Sequence, residues 1–174
     1  HVRNEDTRQQ WRNEVKRLAG RIEELTGQKI TEESLRAAIK LANQKRLALK
    51  RLDQTRAADP VPISGLDCLL TIQAAFMDDS VRLTGAINDM TQECEARVEA
   101  GEGVAPKGAK RILYTGTPMA VPNWKLFNII EKSGAVVVGE ECCTGSRYYK
   151  DLVPEDGATI DDMLNDIADR YLNI

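Results

Sequence analysis

Val136, Val137 and Val138 form a β-branched run that is apolar on both faces, and no other stretch of the 174-residue chain constrains the fold as strongly. A strand apolar on one side can lie on a surface, whereas one apolar on both sides reads as an interior strand of a parallel sheet. From Gly139 onward the chain places two carboxylates (Glu140, Glu141), two adjacent thiols (Cys142, Cys143), a Thr144-Gly145 turn pair and Arg147. Ligands of open α/β sheets bind outside the carboxyl ends of the strands, so the chemistry of this chain is expected in a loop beginning at Gly139.

The first hundred residues follow a helical period. Trp11, Val15, Leu18, Ile22 and Leu25 recur at steps of four and three, which predicts a helix over about 5–26 with Gly27 as its stop. Thr31 is a suitable N-cap, and Leu35, Ile39, Ala42, Leu49 and Leu52 carry a second helix to about Arg56. Asp59-Pro60-Val61-Pro62 makes a rigid corner, because each proline lacks an amide donor and restricts its predecessor. Ser64 with Asp67 opens a third helix, and Asp78, Asp79 and Ser80 cap a fourth that reaches about Ala100. Cys68 and Cys94 fall inside these helices and read as small buried hydrophobes.

The glycine-rich segment 101–109 breaks that pattern, so a helical region is expected over 1–105 and an α/β region over 106–174. Strands over 111–115 and 135–138, joined by a loop and a helix over 123–132, make a βαβ unit. Thr159 with Asp162 opens a closing helix that carries Ile160, Met163, Leu164, Ile167 and Tyr171 on its inner face. The expected class is helix-rich α/β, a helical region followed by part of a Rossmann-like parallel βαβ domain. Thr115-Gly116-Thr117-Pro118 offers backbone amides to a phosphate if it lies at a helix start, and otherwise reads as a tight turn.

A net charge of −3, with the basic residues interleaved among glutamates, leaves no footprint for nucleic acid. No apolar run approaches the ~20 residues that span a bilayer. The first residues are charged and lack a signal-peptide core, so a cytoplasmic location is expected. The absence of an initiator methionine and the apolar helix running up to Ile174 suggest a piece of a longer protein.

Neighbouring side chains in extended backbone point to opposite sides, so at most one of Cys142 and Cys143 faces the loop cavity, unlike a C-x-x-C pair that shares one metal. Arg147 and backbone amides favour a thiolate there, and Glu140 and Glu141 oppose it. The sole histidine is His1, so no base partner is evident and no catalytic residue is assigned. Three readings of the pair stay open on this basis: metal or cluster ligand, nucleophilic thiol, or packing.

The segment KRILYTGTPMAVPNWKLFNIIEKSGAVVVGEECCTGSRYYKDLV resembles the corresponding part of the 2-hydroxyacyl-CoA dehydratase and benzoyl-CoA reductase family, especially its double-cubane cluster relatives. The likeness is carried by Arg111, Thr115, Gly116, Pro118, Glu141, Cys143, Thr144, Gly145 and Arg147, and by ITEESLRAAIKLANQKR in the helical part. It implies an iron-sulfur subunit with two Rossmann-like domains and a helical region, of which this chain is the middle. It implies that Cys143, and not Cys142, is one of three cysteine ligands of a [4Fe-4S] or double-cubane cluster, the others lying outside the chain, so that the fragment alone holds none. Glu141, Thr144, Gly145 and Arg147 are then candidates for the surroundings of the cluster. The implied partners are an ATP-hydrolysing iron-sulfur activator, a sister subunit or second copy, and an acyl-CoA or small-molecule substrate. The implied activity is radical dehydration of a 2-hydroxyacyl-CoA or an ATP-dependent reduction in anaerobic metabolism. The rival reading is a helical interaction module with structural cysteines.

Overall fold

A computed structural model describes residues 4–172; His1 and Ile174, on which the expectations about the chain ends rest, lie outside the described residues. Helix α1 (Glu5–Thr26) opens on a capping box between Asn4 and Thr7 and closes on Gly27, whose φ of 68° lies in the left-handed region that glycine adopts without a Cβ clash. Helix α2 (Glu32–Thr55) is capped reciprocally by Thr31 and Ser34 at 3.0–3.1 Å. Helix α3 (Gly65–Ala74) starts at Ser64, whose hydroxyl accepts from the Asp67 amide, and α4 (Ser80–Ala100) starts at Asp79. These four helices match the sequence periodicity closely. No helix among the described residues is long and apolar enough to cross a membrane.

Strand β1 (Lys110–Thr115), helix α5 (Lys125–Lys132) and strand β2 (Ala135–Glu141) form the βαβ unit, with the two strands parallel. The chain is thus helix-rich α/β, as expected. Three details differ from the sequence reading. β2 continues three residues past Val138, because Gly139, Glu140 and Glu141 pair with Leu113, Tyr114 and Thr115. The register slips between Ile112 and Leu113, leaving Val138 unpaired as a bulge. A single turn, α6 (Ser146–Tyr149), precedes the closing helix α7 (Ile160–Leu172), which is capped by Thr159 and Asp162.

The valine strand is enclosed for a reason other than the one expected. Among the described residues β2 pairs with β1 alone, and its faces are covered by helices. Val137 is fully buried against Leu69 of α3 and Phe127 of α5. α3 begins so close to the strand that a Cβ on Gly65 would lie 2.5 Å from the Val137 Cβ, and the Gly65 amide donates to Glu131 Oε1 of α5 at 2.7 Å.

The chain forms two compact units, one of residues 1–43 with 151–174 and one of residues 44–150. In the first, α1 meets α7: Trp11 Nε1 donates to the Ala168 carbonyl at 2.8 Å, and Arg12 forks onto Asp169. A small core of Ile39, Val153 and Met163 lies beside them, with Asn43 pairing the Val153 backbone in both directions. The second unit holds the larger core, from Ala48, Leu49 and Leu52 of α2 through Ile72 to Ile87 and Cys94, together with the sheet. The segment 101–109 is a connector inside this unit.

Candidate functional site

The site lies at the carboxyl ends of β1 and β2, within the second unit. Past the Val138 bulge Glu140 is buried and Glu141 half-exposed; beyond the strand end Cys142 is buried in a bend and Cys143 exposed in the following turn. The two neighbouring thiols therefore part. Cys142 is 3% exposed, and its sulfur lies 3.7 Å from the Thr144 hydroxyl. The Gly145 amide donates to the Cys142 carbonyl at 3.0 Å, closing a tight turn that carries Cys143 at its outer corner. A Cβ on Gly145 would overlap the Glu140 carbonyl oxygen, so this turn requires glycine by close approach.

Each carboxylate at the strand end has an arginine. Arg147 donates from Nε to Glu141 Oε1 at 2.5 Å and from Nη2 to Oε2 at 3.0 Å, and the Thr115 hydroxyl adds a bond to Oε2 at 2.9 Å. Arg147 first and Thr115 second hold the Glu141 carboxyl below the ordinary range, and Glu141 in turn raises Arg147. Inside, Arg56, just past the end of α2, forks onto Glu140, Nη1 to Oε1 at 3.0 Å and Nη2 to Oε2 at 2.9 Å, with both side chains 1% exposed. Asp53 takes a further bond from Arg56 Nη2. Burial pushes the Glu140 carboxyl up while Arg56 pulls against it, and the guanidinium stays charged beside Glu140 and Asp53. Glu140 and Glu141, expected to oppose a thiolate, are each paired with an arginine, and Arg147, expected to favour one, is the partner of Glu141.

Cys68 and Cys94 are buried in the helical core, and burial pushes the Cys68 thiol up to about 12. The Thr115–Pro118 turn does not open a helix, because α5 begins only at Lys125; its Thr115 hydroxyl is spent on Glu141, and Thr117 O accepts from the Tyr114 hydroxyl. Arg111 reaches back to the turn after α2, donating to the carbonyls of Ala58 at 2.9 Å and Arg56 at 2.7 Å. Sequence reasoning missed Arg56 and Asp53. The available signal was a charge in phase with the apolar stripe: Arg56 follows Leu49 and Leu52 at helical spacing, the mark of an arginine carried into a core. Among the described residues no three His, Cys, Asp or Glu side chains gather as a metal site.

These features define a helix-rich α/β chain that presents one exposed thiol at the end of a parallel strand pair. Its full length, residues 1–174, matches the family 2-hydroxyglutaryl-CoA dehydratase, D-component, and the chain belongs to that family. It is 34% identical to the "Putative dehydratase subunit YjiM" of Escherichia coli (strain K12), over 99% of this chain and 44% of that protein. It is 25% identical to the (R)-phenyllactyl-CoA dehydratase beta subunit of Clostridium sporogenes, over 86% of this chain and 38% of the relative. It is likewise 25% identical to a benzoyl-CoA reductase subunit of Thauera aromatica, over 83% of this chain and 36% of the relative. The chain thus spans less than half the length of each of these relatives.

Proposed function

We propose that the chain is part of an iron-sulfur subunit of a 2-hydroxyacyl-CoA dehydratase-like enzyme, and that Cys143 contributes one thiolate to its cluster. The observation that supports this most is the outward presentation of Cys143 on a glycine-dependent turn at the end of β2, while Cys142 is turned inward. The donor chemistry fits such a group as one ligand of several; Cys68, Cys94 and Cys142 are buried, so the remaining ligands come from outside these residues. When bound, the cluster supplies one-electron chemistry at low potential, fed by an ATP-hydrolysing activator.

The chain's own residues prepare the ligand. Arg147 neutralises Glu141, so the thiolate at 143 faces no unpaired carboxylate, and Thr115 ties that ion pair to the end of β1. The Gly145 amide is committed to the Cys142 carbonyl and stiffens the turn. In this reading residues 1–105 form the helical region and 106–174 part of a Rossmann-like domain. The protein acts in the cytoplasm beside a sister subunit or second copy, and its substrate is a 2-hydroxyacyl-CoA that loses its hydroxyl group. The similarity to a benzoyl-CoA reductase subunit supports a second reading, reduction without loss of water, which product analysis separates from the first.

The test is iron content and activity of the full-length protein purified without oxygen, compared between Cys143→Ala and Cys142→Ala. Cys143→Ala is expected to lose cluster iron and most activity, with Cys142→Ala close to the parent in both. Normal iron in Cys143→Ala, or a larger loss in Cys142→Ala, overturns the assignment. An iron-free parent removes the enzyme reading in favour of the helical interaction module.

A further inference from the structure

The sequence places two chemically identical thiols side by side, and the backbone presents one of them. From the geometry of the strand end we infer that Arg56 is a positioning residue that selects which thiol is presented: by holding Glu140 inside, it anchors the strand end against which the Cys142–Gly145 turn folds, with Cys142 inward and Cys143 outward. The inference rests on the reading of Cys143 as a ligand only for its functional consequence, because the selection itself is a property of the backbone.

In an extended strand, fixing the direction of one residue fixes every second one after it, and a slip of one residue exchanges the faces. The bulge at Val138 shows that β2 has already given up strict register once, shortly before it reaches the two thiols. From there the observed pattern is Glu140 in, Glu141 out, Cys142 in, Cys143 out. Hydrophobicity alone does not choose this arrangement, because either carboxylate placed inward loses its hydration at a cost of several kcal/mol. What distinguishes the two is where their partners lie: Arg56 offers Glu140 a bidentate fork inside, whereas Arg147, the partner of Glu141, is on the outer side with its side chain 44% exposed.

Arg56 is itself fixed from three directions. Its carbonyl accepts from Arg111 of β1, its Nη2 also donates to Asp53 one helical turn earlier, and its fork ends on β2. The end of α2 and the two strands therefore meet on this one residue. The fork transmits to the thiols through the backbone, since Gly145 folds the Cys142–Gly145 turn directly onto the Glu140 peptide. Stability is a poor explanation for the pair: buried ion pairs are commonly matched or bettered by apolar residues of similar volume, and Arg56 Nε is buried without a hydrogen-bond partner.

The experiment maps thiol accessibility and iron in the same full-length proteins: parent, Glu140→Gln, and Arg56→Met/Glu140→Leu. Glu140→Gln keeps volume and loses the charge-assisted fork; the double variant replaces the pair by apolar groups. Iodoacetamide labelling of chelator-treated protein, read residue by residue by mass spectrometry, is expected to mark Cys143 and spare Cys142 and Cys94 in the parent. In Glu140→Gln, Cys142 is expected to label at least about tenfold faster while Cys94 stays protected, and iron affinity is expected to fall about tenfold or more; in the double variant the apolar side chain at position 140 favours the interior by itself, and Cys142 is expected to stay protected. A merely structural role releases Cys94 together with Cys142, so joint labelling overturns the inference. Unchanged labelling of Cys142 in folded Glu140→Gln, or exposure of Cys142 in the double variant, overturns it as well, whatever the iron content. A parent without iron whose labelling still shifts in Glu140→Gln removes the cluster reading and leaves the selection standing.

Discussion

Gly145 shows how much of the site rests on one missing methyl group. The space around its Cα leaves no room for a side chain. A Cβ there overlaps the Glu140 carbonyl oxygen and lies 2.9 Å from the Glu140 Cβ, contacts that only movement of the turn relieves. Gly145→Ala is therefore expected to cost about 2–3 kcal/mol in urea unfolding, the scale of overpacking a tight site, and to displace the Cys143 corner. Thr144→Ala removes only a hydroxyl 3.7 Å from a sulfur and is expected to cost under about 1 kcal/mol. Equal losses in the two variants would show that the turn is not held by close packing on Glu140. The requirement for Gly145 was legible in the sequence only as a turn signal, because the atom it must avoid belongs to a strand end that the alternation of Val136–Val138 does not reveal.

At the scale of elements, caps are the features the sequence foretold best. Thr159 and Asp162 close the start of α7 reciprocally: the Thr159 hydroxyl and amide donate to Asp162 Oδ2 at 2.7 and 3.0 Å, and the Asp162 amide donates to the Thr159 hydroxyl at 3.1 Å. Bonds from Thr159 hold the Asp162 carboxyl below its ordinary value of 3.8. The folded chain thus binds this proton less readily than the unfolded chain, so the cap's contribution is fully present above the ordinary value and is lost as pH falls through the lower folded one. Acidification below the ordinary value is expected to lower the protection factors of amides in the first turn of α7, taken relative to their intrinsic exchange rates at each pH and read by nuclear magnetic resonance. Asp162→Asn should begin from faster exchange and show no such acid-dependent step. An identical acid response in the variant would assign the opening to another group. β2 was harder to bound: Val136–Val138 announced a strand, but its continuation to Glu141 depends on pairing with Leu113–Thr115, which only β1 supplies.

Across the whole molecule the two units are unequally consolidated. α1 contributes no buried residue and is joined to α7 by Trp11, Arg12 and Lys16, mostly through polar contacts. The unit of residues 44–150 buries Leu49, Leu52, Ile72, Ile87, Phe127 and Val137 in its cores. Local opening follows buried apolar contact, so amides of α1 and α7 are expected to exchange at least about tenfold faster than those of α3 and β2 under native conditions. Hydrogen exchange followed by mass spectrometry checks this, and uniform protection across the chain would show that the units open together.

Local sequence determined the elements of this protein because their causes lie within a few residues of their effects. Helical period and a stop at Gly27 bound α1, Ser64 and Asp79 start α3 and α4, and adjacency alone requires Cys142 and Cys143 to diverge. Which thiol turns outward was decided only in three dimensions. It depends on Arg56, 84 residues from Glu140 along the chain, arriving inside a core with the one geometry that accepts a buried carboxylate. Periodicity reports that a charge sits on an apolar stripe; it does not report what that charge meets, because a desolvated ion pair is a contact between distant elements.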